Sequence, residues 1–131
     1  MIQDKDFTLR LIRQLTQALE KLILDKPEES LMQKELDYDS LMKDIFKLNF
    51  DEVSGMSNEE LIEMVNLRQS RDHKNYYEML GNLFYWRGKE LKNNNFIVRS
   101  KTFYELYLQT SGIFALPIIN RITEINKITE V

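Results

Sequence analysis

Residues 76–91 limit what this chain can become more than any other stretch. The segment reads Tyr76-Tyr77-Glu78-Met79-Leu80-Gly81-Asn82-Leu83-Phe84-Tyr85-Trp86-Arg87-Gly88 and continues through Leu91. On a helical wheel, Tyr77, Leu80, Gly81, Phe84, Gly88 and Leu91 share one face, and Tyr76, Met79, Leu83 and Trp86 share a second. Glu78, Asn82, Tyr85 and Lys89 fill the narrow polar arc that remains. A helix that is apolar on most of its circumference must be buried, with neighbours on two sides. The spacing therefore predicts the central helix of a small helical domain.

The remainder of the chain suits that demand. Its 131 residues fit a single all-helical domain over 1–131. Only four Gly and two Pro punctuate it, which favours long helices over many turns. Cys is absent, so disulfides and thiolate metal sites are excluded. The start, Met1 to Asp6, is acidic where a signal peptide is basic. The longest apolar run, Ile113 to Ile119, contains Pro117 and is far too short to span a bilayer. These features predict a cytoplasmic protein with no membrane partner. A net charge of −3 carries no global polyanion signal, although Arg68 to Lys101 is locally basic and Asp51 to Glu63 locally acidic. Two solvated surfaces on neighbouring helices account for that pattern.

In chain order, a first helix is expected from about Asp4 to Leu24. Leu11, Ile12, Leu15, Ala18, Leu19, Leu22 and Ile23 recur there at three- and four-residue spacing. A second helix begins near Pro27 or Glu28, fades around Leu48 to Asn49, and forms a hairpin with the first. Residues 49–56 read as a loop. Ser57-Asn58-Glu59-Glu60 matches a capping box that opens a short third helix. Ser70 or Asp72 is expected to cap the central helix. Lys92 to Asn95 form a turn, a fifth helix runs from about Phe96 to Gln109, and Thr110-Ser111-Gly112 ends it. A last helix starts near Pro117 with Ile118, Ile122, Ile125 and Ile128 expected to face inward. The fold class is all-α: a bundle of five to six helices.

The pattern Tyr77-x-x-Leu80-Gly81-x-x-Phe84, with Gly88 beyond it, resembles the first helix of a tetratricopeptide repeat. Phe96 and Phe103 fall on the partner helix, whereas Arg99 stands where the repeat has Ala. The opening Asp6-Phe7-x-x-Arg10-x-Ile12-x-Gln14-Leu15 and the Ser57-x-x-Glu60-Leu61 segment extend the likeness. Over most of its length the chain resembles a bacterial family of small all-helical, tetratricopeptide-like proteins of unknown function. That resemblance implies a fold and no activity. In such repeats the equivalent face of the first helix lines a peptide groove. The matching positions here are Asn75, Glu78, Asn82, Tyr85 and Trp86, and this is the candidate partner-binding face.

No catalytic or cofactor signature stands beside it. The single histidine, His73, has no convergent partners at ligand or dyad spacing. The four glycines are too far apart for a phosphate loop, and among the many carboxylates the sequence picks out no facing pair. The reading is a non-enzymatic helical module without cofactor or metal. Its partner is a protein or peptide, a second copy of the chain included. The alternative is nucleic-acid binding by the basic segment 68–101, with Tyr76, Tyr77, Tyr85 and Trp86 stacking on bases. It is the weaker reading, because three of these aromatics already have places on buried stripes.

Overall fold

The two apolar stripes of residues 76–91 are met by a helix on either side. The computed structural model describes residues 4–24 and 38–129, and all the regular structure among them is helical. The central helix is α5 (His73–Leu91), counted after α1 (Asp4–Ile23), α2 (Tyr38–Phe46), α3 (Phe50–Ser54) and α4 (Asn58–Asn66). It is followed by α6 (Asn94–Ser111) and α7 (Leu116–Thr129). The most extensive pairing is α5 with α6, and α1 packs on α5 from another direction.

Small residues set the α5–α6 approach. Gly81 faces Tyr104 and Gly88 faces Ile97, so the residue numbers run in opposite senses and the hairpin is antiparallel. A β-carbon at position 81 would lie 2.4 Å from the Tyr104 ring. Around this contact the Phe84 ring stacks on Phe103 at 5.8 Å, with Phe96 at 5.7 Å and Phe50 at 6.0 Å. From α1, Ile12, Leu15, Ala18 and Leu19 are buried, as their spacing predicts. The α1 surface therefore belongs to the core.

Several expectations are corrected. Residues 49–56 are not all loop, because Phe50–Ser54 forms α3. The Asn49 side chain accepts from the Glu52 amide and Glu52 returns to the Asn49 amide, a second capping box beside the expected one at Ser57 and Glu60. Neither Ser70 nor Asp72 caps α5 through its side chain; Ser70–Asp72 is a 3₁₀ turn running straight into it. Helix α6 begins at Asn94, where Asn93 accepts from the Phe96 amide, and the left-handed residue in the turn is Lys92, at φ 54°. Leu91 and Ile128, placed on apolar faces by their spacing, are exposed in the last turns of α5 and α7, where no neighbouring helix covers them. Of the expected second helix, the part before Tyr38 lies outside the described residues, as does the Lys26-Pro27 break.

Arg99, the departure from the repeat pattern, holds a corner together. Its Nε donates to Asn58 Oδ1 at 2.7 Å and its Nη1 to the Ser54 carbonyl at 2.8 Å, and Nη2 reaches the Met56 carbonyl. The guanidinium carbon lies 4.4 Å from the Phe84 ring centroid. One side chain thus satisfies carbonyls at the end of α3 and ties the α3–α4 corner to the hairpin. Alanine could do neither.

Candidate functional site

The middle of the polar arc of α5 is an internal seam. Asn82, at its middle, is 1% exposed. Its Nδ2 donates to the Thr16 carbonyl of α1 at 3.2 Å and lies 3.4 Å from Glu20 Oε1. Its Oδ1 accepts from the Tyr104 hydroxyl of α6 at 2.7 Å. Arg121 of α7 completes the cluster: Nη1 and Nη2 donate to the two Glu20 oxygens at 2.9 and 2.5 Å. Arg121 Nη1 is also 3.4 Å from Asn82 Oδ1 and from the Tyr104 hydroxyl. Four helices meet through four polar side chains and the Thr16 carbonyl, while the Thr16 hydroxyl turns back onto the Ile12 carbonyl. Each side chain of this cluster has a partner, as a low-dielectric interior requires.

Charge and protonation follow from that packing. Burial pushes the Tyr104 hydroxyl above its ordinary range, so it stays a proton donor to Asn82. Burial alone would weaken the Arg121 cation, but hydrogen bonding to Glu20 more than restores it. The bidentate pair is only 7% exposed on the arginine side and about a third exposed on the glutamate side, at 32%. Its role is to fix how α1 and α7 meet; a buried ion pair is weak grounds for extra stability.

The five candidate residues are divided by this seam. Asn75 and Glu78 line a groove of about 310 Å³ with Arg13, Thr16, Gln17 and Glu20. Tyr85 and Trp86 line a second groove with Leu22, Ile23 and Lys89. Asn82 lies closed under α1 between them. Tyr85 is 5% exposed and its hydroxyl reaches Glu124 of α7. The continuous open face expected from the repeat resemblance is therefore not formed, because α1 and α7 cover its middle.

Glu78 is the strained member of the set. Half-buried, it has its carboxyl pushed up first by desolvation and then by the Glu20 charge, with Arg121 partly offsetting both. For a carboxyl whose folded value is raised, the native state binds more protons than the unfolded chain. Stability is then fullest below the ordinary value of 4.5 and declines as pH rises toward the folded value. Glu78→Gln is expected to melt higher than the parent at neutral pH, and the advantage should fade in acid below that ordinary value. Thermal melts of both proteins across pH check this.

Part of the basic segment is engaged within the protein, while Arg71, Lys74 and Lys92 are exposed. Arg87 pairs with Glu90 and sits over Phe50, Lys89 pairs with Glu124, and Arg68 lies over Tyr76. Tyr76, Tyr77 and Tyr85 are buried. His73 Nε2 is 2.9 Å from the Arg68 carbonyl, at the start of α5. Among the described residues, no group of three or more His, Cys, Asp or Glu is placed to hold a metal ion, and no helix is long and apolar enough to cross a membrane.

Sequence reasoning missed Arg121 and the α6–α7 corner. The signal for Arg121 was its position on the Ile118, Ile122, Ile125 stripe, where a charge has to find a partner inside. The signal for the corner was the absence of charge: Leu106 to Asn120 holds no Asp, Glu, Lys or Arg in a chain that is 30% charged. Ile113, Phe114 and Leu116 stand exposed there at 52%, 79% and 54%. Compared with protein-family models, curated proteins and solved structures, the chain matches none of them.

Proposed function

We propose that this chain is a non-enzymatic protein-interaction module, built on a tetratricopeptide-like α5–α6 hairpin, that binds through the corner between α6 and α7. One observation carries the reading: Phe114 projects into solvent beside Ile113 and Leu116, within a stretch free of charge. Interface cores are depleted of charged residues and enriched in aromatics, and an exposed apolar cluster of this kind marks a contact surface. The polar arc of α5 has its middle occupied by α1, so a partner meets the outer corner instead.

A photo-reactive phenylalanine analogue at position 114 tests this in cells. A discrete cross-linked adduct is expected from position 114 and none from the same analogue at exposed Glu63 on α4. Equal background labelling from both positions would overturn the reading.

A further inference from the structure

The corner carries both a projection and a recess. Helix α6 ends at Gly112, whose left-handed backbone (φ 66°) turns the chain outward. Phe114 follows on the non-helical link. Two residues later, Leu116 and Pro117 form one wall of a shallow groove of about 400 Å³; Ile23 and Leu24 of α1 form another, and Tyr85, Asn120, Arg121 and Glu124 complete its lining. The exposed Phe114 is thus two residues along the chain from the groove wall at Leu116.

From this we infer that the partner at the corner is a second copy of the chain, the two copies related by a twofold axis, each placing Phe114 in the other's groove. The inference rests on the interaction reading above. A face carrying both halves of a contact is self-complementary, and adjacency lets the pair close instead of growing into a filament. Two copies of a chain with net charge −3 repel each other least where neither carries charge, as along Leu106 to Asn120. Charge also argues against other occupants. An anionic membrane or a nucleic acid needs exposed cations beside the apolar residues. The charges beside the groove are Glu124, Arg121 and Lys89, and both cations are already paired, Arg121 with Glu20 and Lys89 with Glu124.

The area is sufficient for a reversible dimer. Ile113, Phe114, Leu116 and half-exposed Leu24 present on the order of 400 Å² of apolar surface. Two copies bury about twice that, and the polar rim brings the total near the roughly 1,200 Å² at the lower end of stable interfaces. The assembly is therefore concentration-dependent, with Phe114 as the anchor residue.

Sedimentation equilibrium from low micromolar to near-millimolar chain decides it. The average mass is expected to climb from 15.7 kDa toward twice that value. Phe114→Asp should weaken association at least about 30-fold, as loss of an anchor residue does. Leu67→Asp, at an exposed apolar residue away from the corner, should leave association unchanged. Position 114 is exposed, so its variant keeps the fold, which circular dichroism verifies. A parent that stays monomeric throughout, or a Phe114→Asp protein that associates like the parent, overturns the inference. Should either occur while position 114 still cross-links to an unlike protein in cells, the dimer falls and the interaction reading stands. Should cross-linking fail too, both fall.

Discussion

Gly81→Ala is expected to destabilise the protein by about 2–3 kcal/mol, the cost of overpacking a filled core. On an open helix the same change would stabilise by about 1 kcal/mol, since alanine is the better helix former. The sign is therefore diagnostic. The added methyl would sit 2.4 and 2.6 Å from two carbons of the Tyr104 ring. That ring cannot swing aside: Tyr104 is fully buried and its hydroxyl is held by Asn82. Relief must come from separating α5 and α6, which loosens the Phe84–Phe103 stack as well. A urea melt should show a lower midpoint with an unchanged slope. A midpoint equal to or above the parent's would mean that the two helices do not meet at Gly81.

The second large effect belongs to Arg121. Arg121→Met is expected to cost about 2–4 kcal/mol, because it leaves the Glu20 carboxylate without its bidentate partner beside buried Asn82. Partial exposure of Glu20 keeps the loss toward the lower end of that range. Methionine keeps the apolar length of the side chain, so lost packing contributes little. Replacing both partners, Glu20→Leu with Arg121→Met, should recover much of the loss. The penalty lies in a stranded charge, and a well-packed apolar pair can replace a buried ion pair at little cost.

These two sites differ in how far the sequence announced them. Gly81 was legible because the helical wheel puts it between Tyr77 and Phe84, and a small residue flanked by aromatics on a buried stripe implies close approach. The α1 stripe was legible for the same reason: periodicity reports which face is covered. Helix α3 was missed because five residues hold too little periodicity to outvote Gly55 and two serines; its only local sign was Asn49 three residues before Glu52. The polar arc was misread because a wheel shows polarity and not who faces it. The partners of Asn82 lie 66, 22 and 39 residues away, on three different helices. No local pattern encodes that meeting. Arg121 read as an interruption of an isoleucine stripe, when its position on the stripe was itself the sign of an internal partner.

The middle of the polar side of α5 is sealed by α1 and α7. The most direct measurement is a double-mutant cycle on Glu20 and Arg121, which are 101 residues apart in sequence, using Glu20→Gln and Arg121→Met. A coupling of roughly 1–3 kcal/mol is expected for two groups sharing one hydrogen-bond network. Additive effects, within about 0.3 kcal/mol, would contradict it: α1 and α7 would then not meet over Asn82, and the arc would be open to a partner after all.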